Sequence, residues 1–174
     1  MKRVSLIIVL LFCLTGIASF AQGDARSRSI YGELLGASQG IGVNYDARFR
    51  LGAPDGFGWR SGLGLGYAYS TNFVAFNVVG DEVETYNQMF RLAVPVEVNY
   101  LLGKGMSKLE SGIGAALSLN RYLSDTGAKP KNSFGASPYA SLGYRLVATR
   151  GFLFRAGLLY SGSFYPYLGF GWAF

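Results

Sequence analysis

The sequence predicts an all-β chain, closed as an eight-stranded antiparallel up-and-down transmembrane β-barrel. Three observations lead there. The last eleven residues alternate a bulky apolar face (Phe164, Pro166, Leu168, Phe170, Trp172, Phe174) with a small or polar one (Tyr165, Tyr167, Gly169, Gly171, Ala173). Seven earlier segments repeat that period of two, with turn residues between them. Their charges fall on the small-residue face, the reverse of a water-soluble barrel that hides its apolar side chains inside.

The chain opens with an export signal. Lys2 and Arg3 form a positive start, Val4 to Ile17 an apolar core, and Ala18-Ser-Phe-Ala21 a small-residue cleavage site, so residues 1–21 are expected to be removed. The apolar run is shorter than the roughly 18–20 residues a spanning helix needs, and polar Gln22-Gly-Asp24 follows at once. Cys13 follows bulky Phe12, where a lipid-attachment site would carry a small residue. It is the single cysteine of the chain and lies inside the signal. The mature protein is therefore expected to hold no disulfide or thiolate site. Residues 22–28 read as a short periplasmic segment and 29–174 as the barrel domain. Beyond the signal no apolar run is long enough for a spanning helix, and 25 glycines dispersed through strand-like segments argue against a helical bundle.

The strands follow in order. Ser29–Ala37 sets Tyr31 and Glu33 against Ile30 and Leu34, and Ser38-Gln39-Gly40 reads as a tight turn. Ile41–Arg50 sets Ile41, Val43, Tyr45, Ala47 and Phe49 against Gly42, Asn44, Asp46, Arg48 and Arg50. After the turn signal Ala53-Pro-Asp-Gly56, Trp59–Ser70 sets Trp59, Leu63, Leu65 and Tyr67 against Arg60, Gly62, Gly64 and Gly66. Gln88–Leu102 opposes Phe90, Leu92, Val94, Val96 and Val98 to Arg91, Ala93, Pro95, Glu97 and Asn99. Leu109–Asn120, Phe134–Ala148 and Phe152–Ser161 continue the alternation, and Phe164–Phe174 closes it.

Energy decides which face points out. An arginine or lysine on the lipid face near the membrane midplane costs about 2–4 kcal/mol. Glu33, Asp46, Arg48, Arg91, Glu97, Arg145 and Arg155 all share the small-residue face, so they are expected to form a lumen ion-pair network. Eight strands leave an interior just wide enough for side chains, which gives the glycines a reason. Aromatic residues gather at the strand ends in two belts. One is Trp59, Tyr100, Phe152, Phe154, Trp172 and Phe174; the other is Tyr67, Tyr69, Tyr160 and Phe164.

With its signal, eight strands and the ending Phe170-Gly-Trp172-Ala-Phe174, the chain resembles the small OmpA/OmpX-type outer-membrane barrels of Gram-negative bacteria. The resemblance covers residues 29–174. It implies an integral outer-membrane location after export. It also implies that Phe170, Trp172 and Phe174 act as a signal to the barrel-assembly machinery, with outer-membrane lipid and lipopolysaccharide as surroundings. No peptidoglycan-binding domain is expected after Phe174.

Histidine is absent, so neither a Ser–His nor a Cys–His nucleophile can be built. The lumen carboxylates Glu33, Asp46, Glu97 and Glu110 each have arginines on the same face, which favours a structural network over an acid catalyst. Neither catalysis nor any cofactor or metal is expected. Asp81-Glu82-Val83-Glu84 reads as a loop rather than a calcium cage, which needs six or more oxygens. Gly62-Leu-Gly-Leu-Gly66 lies inside a strand, with no helix following it to cradle a phosphate. The net charge of +6 includes Lys2 and Arg3; without them 14 basic residues face 10 acidic ones, +4, scattered and unsuited to nucleic acid.

Function is expected at the long connections. With both termini periplasmic, the connection 71–87 faces outward, and its β-prone runs around Gly80-Asp81 read as a surface hairpin carrying Phe73, Phe76, Asp81, Glu82 and Glu84. Such a ribbon either offers strand edges to a protein partner or nestles against lipopolysaccharide or caps the barrel mouth. Arg121, Lys129 and Lys131 lie on the next long outward connection, within reach of lipid phosphates. The expected role is a non-enzymatic, monomeric envelope-structural or surface-binding barrel. The alternative is a narrow channel, or a transport- or secretion-associated barrel, for small solutes.

Overall fold

Alternating side chains let each strand put one face in lipid and the other in a polar interior, and closure leaves no edge unpaired within the membrane. The computed structural model describes residues 26–74, 85–103, 105–124 and 129–174, and shows that closed barrel. Its strands are β1 (Arg28–Leu35), β2 (Gly40–Arg48), β3 (Gly56–Val74), β4 (Thr85–Leu102), β5 (Ser107–Leu123), β6 (Lys131–Val147), β7 (Phe152–Tyr160) and β8 (Phe164–Ala173). Each pairs antiparallel with its neighbours in sequence, and β8 returns to β1 with Leu34 opposite Leu168. Arg28 and Phe174 exchange backbone hydrogen bonds of 3.1 and 2.8 Å, which ties the two termini into one rim.

The faces fall as the alternation predicts. Ile41, Leu63, Leu65, Ile113, Leu142 and Leu158 point outward and are exposed, whereas Asp46, Arg60, Glu97, Glu110, Arg145 and Arg155 are buried inside. The belt aromatics Trp59, Tyr100, Phe152, Trp172, Tyr67, Tyr69, Tyr160 and Phe164 are likewise exposed. Edge and tilted stacks join several across strands, with Phe57 against Tyr100 at 4.8 Å and Tyr160 against Phe164 at 5.0 Å.

Cross-strand register explains the glycines. Arg48 faces Gly58, Arg91 faces Gly66, Glu97 faces Gly114, Glu110 faces Gly143, and Arg155 faces Gly169. A Cβ at Gly58 would lie 2.3 Å from the Arg48 guanidinium carbon, and one at Gly112 2.1 Å from Glu97 Oε1. The paired Gly143 and Gly157 leave a slot for the Tyr167 phenol.

The first hairpin departs from expectation. β1 stops at Leu35 rather than reaching Ala37, and Gly36–Ser38 forms a 3-10 turn that is wholly buried. Three reversals do this: Leu35, Gly36 and then Gln39 take positive φ, at 64°, 57° and 57°. The chain thus folds inward over the lumen, with Ala37 packed against Ala116, Tyr139, Leu159 and Tyr167 from four other strands. The β3–β4 ladder also skips the Pro95 level, between the pairs Ser61–Val96 and Gly64–Ala93. Proline has no N–H to contribute there. Residues 1–21 lie outside the described residues, as do Phe76, Asp81, Glu82 and Glu84.

Candidate functional site

Two regions carry the chemistry of this chain: the charged lumen and the tall side of the outer rim.

Strand register brings Asp46, Arg60 and Glu97 side by side on β2, β3 and β4, and Arg145 beside Arg155 on β6 and β7. Isolated buried charges would be prohibitive in so dry a space, and these persist because every one is paired. Arg60 is the hub. It donates to Tyr31 Oη at 2.9 Å and to Glu110 Oε1 at 3.2 Å, and it bonds Glu97 Oε2. It also stands 3.9 Å from Glu33 Oε2. Arg145 grips Asp46 Oδ2 at 2.9 Å and Glu110 Oε2 at 2.7 Å. Arg155 donates to Glu33 Oε2 at 2.8 Å and to Glu110 Oε1. Its guanidinium carbon lies 4.7 Å from the ring centres of both Tyr31 and Tyr167, a cation held between two aromatic faces. Arg48 is bonded to Asp46 and donates to Gly56 O at 3.0 Å. Asn99 donates to Asp46 Oδ2 at 2.6 Å, and Ser141 to Glu97 Oε1 at 3.2 Å. Four arginines therefore balance four carboxylates.

Six of the seven residues expected in this network meet within it. Arg91 does not. It lies six residues along β4 from Glu97, toward the long connections, and makes no ion pair among the described residues. Its partners are Gln39 Oε1 at 2.6 Å, Ser118 Oγ at 3.3 Å and Ser137 Oγ at 3.3 Å. The contact with Gln39 bolts the inward turn to β4. Arg60 and Glu110, by contrast, are indispensable members. Glu110 was visible as a lumen carboxylate, and Arg60 as a member of the small-residue face beside Gly62, Gly64 and Gly66; its centrality depends on register.

The network leaves little space at one end of the barrel. At the terminal end the space among Asp46, Arg48, Arg145 and Ala173 amounts to about 10 Å³, room for one water. At the far end Ser38 fills the gap over two glycines: a Cβ at Gly64 would lie 2.3 Å from Ser38 Cβ, and one at Gly66 2.6 Å from Ser38 O. Among the described residues no group of three or more His, Cys, Asp or Glu could hold a metal ion.

The rim is uneven. β2 pairs with β3 only as far as Gly66, and β7 pairs with β6 only from Ala140. β3 to β6 run past those points, so residues 67–74 of β3 and 132–139 of β6 have no ladder strand on that side among the described residues, with Pro138 O accepting from Ser161 Oγ at 2.9 Å. β3 and β4 stay paired through Phe73–Tyr86 and Val74–Thr85, across an irregularity after Tyr69. The stem of the expected hairpin is thus present, and its tip lies outside the described residues. Of the residues expected as an assembly signal, Phe170 and Trp172 point outward and are exposed, with Phe170 stacked on Phe154 at 5.3 Å.

No family model and no curated protein sequence matches the chain. Solved structures similar to it include two of Ail, the attachment invasion locus protein of Yersinia pestis. One shares 13% identity at a TM-score of 0.47, covering 85% of this chain and 94% of Ail. The other, in complex with the heparin analogue sucrose octasulfate, shares 15% at 0.49, covering 85% and 96%. Closure over eight strands, with apolar residues outside and charge inside, is shown by the chain's own pairing and burial. The fold is a closed, eight-stranded antiparallel up-and-down barrel.

Proposed function

We propose that the chain is a non-enzymatic, monomeric barrel of the outer membrane, exported by its first 21 residues, that binds a surface partner along its protruding sheet. The observation that carries this reading is the pair of open edges on β3 and β6 above the short strands. Unpaired N–H and C=O groups in a row are a template for an added strand, and the hairpin 71–87 lengthens that template. Arg121 and Lys131 stand toward the outer ends of β5 and β6, with Lys129 just beyond, where they would meet lipopolysaccharide phosphates. Phe170, Trp172 and Phe174 give the assembly machinery an outward aromatic strand.

Removing Phe73–Glu84 tests the proposal. Heat-modifiable gel mobility should be unchanged while surface binding by whole cells is lost; full binding by the deletion would sink it. A filled lumen stands against the channel alternative. The purified barrel is expected to be silent in planar bilayers, and Arg145→Ala to introduce a small ion leak; stable openings of the wild type would overturn the packed reading.

A further inference from the structure

The lumen cations outside the balanced network are Arg91 and Lys108, and Lys108 sits in an unusual place. Three short turns and the N-terminal segment converge at the terminal end of the barrel around a cavity of about 420 Å³, lined by Arg26, Pro54, Gly105, Met106, Lys108, Val147 and Thr149. None of these lining residues is a carboxylate, but Asp55, next to Pro54, lies near enough for its charge to act on Lys108. Lys108 is only 4% exposed. Its ammonium has three donors, and the single described acceptor is Gly105 O at 2.6 Å. Arg26 reaches over from the other side, donating to Ala148 O at 2.8 Å and to Thr149 O. That leaves further guanidinium donors beside the cavity. Behind these, Arg48 and Arg145 both pair with Asp46, and Arg145 also with Glu110. The remaining wall, Pro54, Met106 and Val147, is aliphatic.

A buried ammonium with donors to spare, a second cation and a small apolar wall suit a carboxylate on a short aliphatic stem. We propose that this cavity binds the terminal carboxylate of a short peptide ending in a small residue, with Lys108 and Arg26 as its charge-assisted donors. In the membrane orientation proposed above, the cavity opens to the periplasm, where wall peptides and the free ends of proteins both carry such groups. The site rests on that orientation for its ligand source only. It is independent of the protruding sheet, so its failure leaves edge docking untouched.

The test is an amide-shift titration of the folded barrel in micelles with N-acetyl-D-alanyl-D-alanine and with its C-terminal amide. The acid should move the signals of Gly105, Met106, Val147 and Thr149, and bind about tenfold more tightly than the amide. Lys108→Met should weaken the acid by about tenfold, and Arg26→Gln by less. Met106→Trp, which fills the cavity and leaves Lys108 in place, should abolish binding, and keeps the test open should Lys108→Met fail to fold. Equal affinity for acid and amide, or undiminished binding by Met106→Trp, overturns the proposal. N-acetyl-L-alanyl-L-alanine identifies the source: discrimination against it supports the site as one for wall peptides, and equal binding supports it as one for peptide ends in general.

Discussion

The lumen half nearest the termini and the half nearest the long connections are filled by different means. The first is occupied by charge, four arginines interlaced with four carboxylates. The second is occupied by backbone, the turn Gly36–Ser38 pushed into a space that Gly64 and Gly66 leave open. The ionic half holds its residues by electrostatic necessity, since removing one partner strands another in a dry interior. The plugged half holds by shape, and tolerates loss of a bond better than loss of fit. Stability should therefore respond to charge deletion in one half and to volume in the other.

Three substitutions sharpen that contrast. Arg60→Leu strands Glu97 and weakens the hold on Glu110, so it should cost about 3–5 kcal/mol in urea unfolding from lipid vesicles. A cost near zero would mean that the ionic half relaxes as freely as a surface. Gly64→Val drives methyl groups into Ser38 and should cost about 1–3 kcal/mol by the same assay, with Arg91 and Gln39 untouched. A neutral outcome would show that the turn can leave the lumen without penalty. Leu35→Gly should act in the opposite sense. Leu35 is held at φ 64° and ψ −113°, a region that glycine enters easily, and the exchange should stabilise the barrel by about 1 kcal/mol. Destabilisation would mean that the Leu35 side chain matters more than its backbone strain.

Much of this was legible in the residues themselves. Alternation alone places Asp46, Glu97, Arg145 and Arg155 inside and Leu63, Val96 and Leu142 outside, because the lipid penalty and the period of two leave no other assignment. Strand ends were legible to within two or three residues where glycine or proline punctuates the chain, as at Pro54-Asp-Gly56. Two features were not. Leu35 carries no signal for a positive φ, so β1 read through to Ala37 and the inward turn stayed hidden. Grouping Arg91 with the ion pairs followed from its face, but face says nothing of depth along the barrel axis. Depth is set by register, which placed Gln39 and two serines beside Arg91, and Arg60 between Asp46 and Glu97.

Arg155 has a consequence for how such a barrel comes into being. Its guanidinium lies between Tyr31 of β1 and Tyr167 of β8 and reaches Glu33 of β1, so its contacts cross the seam where the first strand meets the last. None of those cross-seam contacts exists until the ring has shut. Interactions made only after the rate-limiting step slow escape without speeding arrival. Where closure follows that step, the seam acts as a latch, and the Arg155 contacts lengthen the life of the closed ring without hastening its formation.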